Sequence, residues 1–400
     1  MFSMNNRFDS WKNLLTGLGS SRDKSSHHHF FGDNSLSYDY LEQLYLNDDI
    51  VARICDLVPN EMLRQGFIIK VNDEDFAYEN LVDIVHEALL KARIFGAAFI
   101  FMGIDDGQSQ DKALNLSKIK GLKFLHVLTP KDLKKAYFYD DINSQKYGQT
   151  EYYYLKQNLI HETRLLPFFS STNLDHKKFP SSILQRIYPV LQQFHTAWQS
   201  TSHLMTDAAQ GVFKLKGLHS AMASNRSEEL LKRMELVDMS RSVSRSILLD
   251  AEDEDFRRDS YSFGGIPEIL EKMMLRLAAA ARIPVSLLMG QAPAGMNATG
   301  ESDIRFFYDQ IKAEQEFLKS KIEHLVKIIL GDEKASIRIE FPALWQMTET
   351  QKLELKRLEA EIDRIYLQEG VLLPEEVALQ RFKNTEFAID VASREDLVQE

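Results

Sequence analysis

RIPVSLLMGQAPAGMNATGESD, residues 282–303, separates two runs of helical periodicity. Pro284 lacks an amide hydrogen and disfavours helical geometry at Ile283, so the Ala-rich helix before it must stop there. Gly290, Pro293, Gly295, Asn297 and Gly300 then make a loop that can take tight turns and positive φ, with few side chains able to pack. GQAPAG has the G-x-x-x-x-G spacing of a phosphate loop, but Met296 and Asn297 stand where Lys and Ser/Thr are required. Without that lysine the charge on a bound phosphate goes unanswered, so the loop is read as shape rather than as a nucleotide cradle.

Working outward, Gly264-Gly265 and Pro267 open the preceding helix, with Ile269, Leu270, Met273, Met274, Leu277 and Ala281 on its apolar positions. Ala278 to Ala281 are small enough for close approach to a neighbouring helix. After the loop a helix is predicted over about 301–330, packed through Ile304, Phe307, Ile311, Leu318, Ile322, Leu325 and Ile329, with Glu301 and Asp303 complementing its N-terminal dipole. ASIRIEFP reads as a strand. Thr348 with Gln351 makes a capping box for a charged helix that Gly370 ends, and Pro374 opens a last short one.

Toward the N-terminus, residues 1–36 mix Ser, Asn, Gly and charge and read as a mobile arm. Its His27, His28 and His29 lack the spacing of a metal site and are read as a solvated tract. From Ser37 onward Leu41, Leu44, Tyr45, Ile50, Val51, Ile54, Leu57 and Val58 recur at helical spacing until Pro59, which is expected to break the run. Arg53 and Arg64 are read as snorkelling surface stems, with a subunit-interface ion pair as the alternative. Phe67–Val71 reads as a strand, Asn80–Phe95 as a helix closed by Gly96, and AAFIFMGI as a buried strand. DDGQSQD follows as a solvated hairpin tip, since Asp105, Asp106 and Asp111 miss the calcium-loop spacing. GLKFLHVLTP, AYFYD, EYYYLK and LIHETRLLPF predict a small antiparallel β-unit over about 120–170. His161 is expected to end a strand with its imidazole on a backbone carbonyl.

Past Pro180 the period becomes helical, with Leu184, Ile187, Leu191, Phe194, Trp198, Met205 and Ala208 on one stripe that Pro189 must kink or restart. GVFKLKGL, Ser227–Ser240 and RSILLDAEDEDF then read as a compact β-α-β insert. Its acidic run Glu252 to Asp255 is read as a solvated strand end rather than a metal site. The fold class is therefore α+β.

Composition narrows the function. The 48 basic and 59 acidic residues leave a formal charge of −11, which argues against a protein that grips nucleic acid over a broad surface. A single cysteine, Cys55, leaves no internal disulfide and no Cys-based metal cluster, as suits a reducing cytoplasm. The longest apolar stretch, Ile94 to Ile104, is too short to span a bilayer, and no export signal or membrane anchor is read. No G-x-S-x-G, H-E-x-x-H or paired-carboxylate constellation appears, and no cofactor is implied.

Three segments resemble one family. They are LEQLYLNDDIVARICDLVPNEMLRQGF (41–67), LIHETRLLPF (159–168), and IPVSLLMGQAPAGMNATGESDIRFFYDQI (283–311) with FPALWQMTETQKLELK (341–356) behind it. Together they resemble tailed-bacteriophage portal proteins, over about 40–385. The resemblance implies a portal fold with wing, stem, clip and helical crown, assembling as a ring of about twelve subunits. It implies an arm at 1–36, a wing at 37–180, stem helices at 181–209 and 263–283, and a clip at 210–262. A tunnel-type loop would occupy 284–303, a long helix and wing strand 304–345, and a crown and tail 346–400.

By the same resemblance, Gln291, Ala292, Pro293, Ala294, Gly295, Met296 and Asn297 would form the DNA-channel loop. Lys214, Lys216, Arg257 and Arg258 would contact DNA or an adaptor at the clip, the alternative for each being ordinary surface charge. The implied partners are further copies of the chain, the major capsid protein or scaffold, the large terminase, a head-tail adaptor and double-stranded DNA, without a membrane. The implied place is the capsid portal vertex of the virion, after assembly in the bacterial host cytoplasm, and the implied role is structural, not enzymatic. Some relatives resemble fusions to a phosphodiesterase that degrades cyclic oligonucleotide defence signals, and this is the alternative. Such an enzyme needs two H-x-T motifs, and His161-Glu162-Thr163 supplies one.

Overall fold

The computed structural model describes residues 35–172, 175, 177–206, 209–215, 254–260, 263–290, 297–332, 334–344, 349–374 and 376–377. The chain forms two compact units, Met1–Glu340 and Phe341–Glu400. No helix among the described residues is long and apolar enough to cross a membrane.

Helices α1 (Tyr38–Asn47) and α2 (Asp49–Leu63) arise from one continuous apolar period, and Asp48 divides them. Its backbone turns extended at φ −120°, while its Oδ1 accepts the Val51 amide at 3.0 Å and so satisfies a first-turn donor of α2. The expected break at Pro59 does not occur, and α2 runs through it. A proline removes the donor for the carbonyl four residues back, here that of Cys55. Arg93, in α3 (Leu81–Phe95), replaces it: Nε donates to the Cys55 carbonyl at 3.1 Å and Nη2 to that of Ile54 at 2.8 Å. Burial pulls the Arg93 pKa below its ordinary value, an effect partly opposed by Cys55 and Glu314.

Gly96 ends α3 at φ 92°, and a Cβ there would lie 1.9 Å from the Pro180 carbonyl oxygen, so only glycine fits this crossing of two backbones. The described strands of the larger unit form three three-stranded antiparallel sheets and one two-stranded ladder. In the first, β1 (Ile68–Val71) pairs with β2 (Glu74–Phe76) across Asn72 and Asp73, whose φ values of 51° and 69° fit a two-residue hairpin turn. The polar NDEDF sequence hides β2 from a pattern reading. The strand of ASIRIEFP, numbered β11 below (Ile337–Glu340), pairs with the other edge of β1, Ile68 opposite Glu340.

The predicted β-unit is two sheets rather than one. β3 (Ala97–Asp105) is flanked by β4 (Gly121–Leu128) and β8 (Leu165–Phe169), while β5 (Leu133–Phe138), β6 (Thr150–Leu155) and β7 (Asn158–His161) form the other sheet. Phe99, Phe101 and Leu165 of the first sheet and Leu133, Tyr153 and Ile160 of the second share one buried cluster. LIHETRLLPF therefore splits: β7 ends, a 3-10 turn (Glu162–Arg164) carries the chain across, and β8 begins in the other sheet.

That crossing holds a charge pair where a solvated tip is expected. Asp106 is 2% exposed and Arg164 1%, with Nη2 of Arg164 donating to Asp106 Oδ2 at 2.9 Å. Arg164 Nε also donates to the Lys112 carbonyl at 2.9 Å, and the Asp106 carboxylate accepts the amides of Gln108 at 3.1 Å and Asn115 at 3.0 Å. Burial favours the neutral acid, but these amides and the guanidinium outweigh it and hold the carboxyl below its usual range.

In the smaller unit, α8 (Glu349–Gln368) ends as expected at Gly370, φ 67°, where the Val371 amide bonds the Tyr366 carbonyl at 2.9 Å. The Leu373 amide donates to Glu376 Oε2 at 2.9 Å across the turn that Pro374 opens. Thr348 and the histidines at 27–29 lie outside the described residues.

Candidate channel and partner-contact elements

Helix α4 (Ile183–Thr206) starts where Ser182 Oγ accepts the Leu184 amide at 3.0 Å, and it continues through Pro189 without restarting. Helix α5 (Ile266–Ala281) opens at Gly265, φ 86°, with Pro267 in its first turn. It closes at Arg282, where the Ile283 amide bonds the Ala278 carbonyl at 3.1 Å. The two helices lie against each other, and Arg276 Nη1 donates to Gln193 Oε1 at 2.9 Å.

The expected single stripe on α4 is only half buried. Leu184, Ile187, Leu191 and Phe194 are in the core, as are Leu277 and Ala278 of α5, whereas Trp198 is 50% exposed and stacks on Phe194 at 5.7 Å. Leu204, Met205 and Ile269 are exposed as well. The cause is topological: the first half of α4 and the last half of α5 pack on the larger unit's core, while among the described residues their other halves lie against each other.

Those outer halves lead into a ladder of β9 (Ala209–Leu215) and β10 (Glu254–Ser260), antiparallel from Ala209 opposite Ser260 to Leu215 opposite Glu254. Of the second strand expected over 245–256, the described part, Glu254–Phe256, lies in β10, which runs on to Ser260, and residues 245–253 lie outside the described residues. Glu254 and Asp255 of the acidic run are thus ladder positions. Lys214 sits opposite Asp255, Arg257 opposite Val212 and Arg258 opposite Gly211. Lys216 and the helix expected over 227–240 lie outside the described residues.

The loop is shorter than its sequence implies. After Pro284 the chain forms α6 (Val285–Met289), closes it at Gly290 with φ 74°, and is already helical at Asn297, where α7 (Asn297–Leu330) begins. Residues 291–296 lie outside the described residues, so of the seven candidate loop positions only Asn297 is placed. Helix α7 is anchored by Phe307, Ile311, Leu318, Ile322 and Leu325 in the core. Buried Gln315 donates through Nε2 to the Met62 carbonyl at 2.7 Å.

Arg53 and Arg64, expected as surface stems, tie α2 to the helices around the loop. Arg53 donates through Nε and Nη2 to the Leu287 carbonyl at 3.1 and 2.8 Å, which clamps the end of α6. Arg64 pairs with Glu61 at 3.0 Å and lies over the Tyr308 ring at 5.6 Å. Replacing Arg53 by Ala is expected to speed amide exchange at Leu287 and Leu288 about fivefold while leaving global stability nearly unchanged, as measured by hydrogen exchange.

His161 does not bond a carbonyl as expected. Its Nδ1 accepts the Thr163 amide at 3.2 Å and lies 3.0 Å from the Thr163 hydroxyl, so it caps the 3-10 turn. The ring is 6% exposed and packs edge-on against Tyr152 at 5.1 Å. Burial pulls its pKa down. The His161 Nδ1 and the Thr163 hydroxyl are thus engaged with each other, and the hydroxyl also accepts the Leu114 amide at 2.8 Å. Among the described residues no cluster of His, Cys, Asp or Glu is arranged to hold a metal ion.

A family profile described as phage portal protein matches residues 40–365. The chain belongs to the phage portal protein family. The portal match takes in every element from α1 into α8. In fold the chain is similar to a subunit in the neck of an empty gene transfer agent particle, reconstructed with C6 symmetry, with a TM-score of 0.52 and 14% identity over 90% of this chain and 93% of that one. A chain of the native gene transfer agent virion gives 0.53 and 13% identity over 87% and 93%.

Among curated proteins, the portal chain is similar to the anti-CBASS protein Acb1 of a Caulobacter species, 28% identical over 94% of this chain and 66% of that protein. It is also 23% identical to the anti-CBASS protein Acb1 of Sphingomonas paeninsulae, over 91% of this chain and 63% of that protein. The chain thus spans just under two thirds of the length of these two relatives. An uncharacterized protein of Haemophilus influenzae is 24% identical over 93% of this chain and 89% of its own length.

Sequence pattern alone misses Arg93, Asp106, Arg164 and Gln315. A proline inside a helical period was a usable signal for Arg93, because it predicts an orphaned carbonyl that some donor must meet.

Proposed function

We propose that this chain is the repeating subunit of a homo-oligomeric ring at one vertex of a phage-like particle, the channel through which double-stranded DNA is packaged and ejected. The observation that carries this is the portal match over residues 40–365, joined to a fold shared with gene transfer agent neck and virion chains over most of both lengths. In this reading α4 and α5 are the stem and the β9–β10 ladder the base of the clip. Residues 291–297 form the loop at the channel, β1 and β11 belong to the wing, and α8 to the crown. The exposed outer halves of α4 and α5 then face neighbouring copies. The charge of −11 per subunit, with no ionisable side chain in residues 291–297, suits a lumen past which DNA slides, because neutralised phosphates are what make nonspecific binding tight.

Terminase and head-tail adaptor dock at the clip in this reading, through Lys214, Lys216, Arg257 and Arg258. Reversing Lys214 and Lys216 to Glu is expected to cut motor docking about tenfold while rings still assemble. Packaging assays beside negative-stain images check it, and normal packaging by the double variant would count against the clip assignment. The ring reading itself is tested by negative-stain microscopy of the purified wild type: a ring with a central hole is expected, and a monomer overturns it.

The second reading, a phosphodiesterase acting on cyclic oligonucleotide defence signals, is favoured by the names of the curated relatives. Against it stands His161, whose Nδ1 is used to cap its own turn. Hydrolysis of cyclic dinucleotides that His161→Ala abolishes would establish it in place of the portal reading.

A further inference from the structure

On α7, Phe306 is 73% exposed and Phe317 74%. Eleven residues apart at about 100° per residue, they fall within about 20° of one line along the helix, with Gln310 and Ala313 between them. All four are exposed, and the core face of α7, through Phe307 and Ile311, points elsewhere. Exposed Asp303 and Glu314 border this stripe on one side, and on the other exposed Asp309 and Glu316, the latter paired with Lys319 at 2.7 Å. A surface that covers it must therefore be apolar at the centre and basic at the rim.

The same unit of the chain carries such a surface. A cavity of about 860 Å³ opens between the start of α1, the start of β5 and residues 177–185, with Leu36, Phe95, Pro130, Phe179 and Pro180 in its walls. Lys131, Lys134, Lys135, Lys177 and Lys178 line it too. Lys131 answers Asp39 at 2.8 Å and Glu42 at 2.6 Å, and Lys135 lies over the Phe179 ring at 5.1 Å, whereas Lys134, Lys177 and Lys178 stand exposed. In a chain of net charge −11 this is a concentrated basic patch beside apolar walls.

We propose that the Phe306–Phe317 stripe of one copy seats on the lysine-rimmed cavity of the next. Two different patches of one chain then meet head to tail, the kind of contact that closes a ring. The inference rests on the ring reading above and names its contact.

The test uses the full chain. Phe306→Glu/Phe317→Glu is expected to reduce the ring population at least about tenfold, by negative stain and sizing, while circular dichroism at low temperature stays that of the wild type. Ala313→Glu, between the two rings on the same exposed line, serves as a second variant with the same expectation. Combining Phe317→Cys with Lys134→Cys and adding a short bis-maleimide is expected to give inter-chain cross-links, with the native Cys55 buried out of reach. Rings that persist in both glutamate variants, or a double-cysteine protein that forms rings but no cross-link, overturn this contact and leave the ring reading standing. A monomeric wild type overturns both.

Discussion

Arg164→Met is expected to destabilise the larger unit by about 3–5 kcal/mol, because it leaves the Asp106 carboxylate charged, buried and without its guanidinium. Urea unfolding of the purified protein measures this as a lower midpoint. The two groups sit 58 positions apart in sequence and meet where the chain passes from one sheet to the next. The pair therefore fixes the register of the 3-10 turn as well as neutralising a charge. Asp106→Asn leaves the Arg164 guanidinium charged, buried and without its carboxylate, and is expected to cost a similar amount, about 3–5 kcal/mol. The double variant is expected to be more stable than the sum of the singles predicts, the signature of a direct pair.

A pH dependence follows with a definite sign. The Asp106 carboxyl is held below its unfolded value, so the folded state binds fewer protons than the unfolded one through the acid range. Its contribution is fully present above about pH 5, above the unfolded pKa near 4, and is lost as pH falls through the lower folded value. The melting temperature of the wild type should drop between about pH 5 and 3 more steeply than that of Asp106→Asn. Equal slopes would mean that Asp106 titrates alike in both states.

The class of the fold was legible because its punctuation is local. Gly96, Gly265, Pro267 and Gly370 each act through their own backbone, and each ends or opens the helix that the sequence assigns to it. Partner-dependent features were not legible. β2 carries no apolar alternation, so only its pairing with β1 makes it a strand. LIHETRLLPF reads as one strand because its pattern is continuous, and only the stacking of two sheets explains its division at Glu162. The same holds at the candidate channel. The span 284–303 was recognisable from Pro284 and its glycines, but the turns of helix inside it depend on the Arg53 clamp and on the anchoring of α7. For β9 and β10, Glu254 and Asp255 stand at the first positions of β10, and what charge content could not show was their partners, Leu215 and Lys214.

The second large effect is expected at Arg93, and a double-mutant cycle with Pro59 isolates its cause. Arg93→Met removes the donors to the Cys55 and Ile54 carbonyls at the centre of α2, at a cost of about 1–3 kcal/mol for the Cys55 carbonyl left unmet, since the Ile54 carbonyl keeps the helical amide four residues on. Pro59→Ala restores the amide that a regular helix would aim at Cys55. In that background the Arg93→Met loss should shrink by about 1–2 kcal/mol, the share belonging to the Cys55 carbonyl. Cys55 itself is buried, and burial pushes its thiol up to about 12, so it reports on the same spot. In Arg93→Met a loosened α2 should make Cys55 react faster with a thiol reagent, and Pro59→Ala should slow it again. If the arginine instead served only to fill space, methionine would replace it at little cost and the Pro59 background would make no difference. The coupling separates these cases because the proline acts on α2 through one missing hydrogen, and Arg93 is the group placed to answer it.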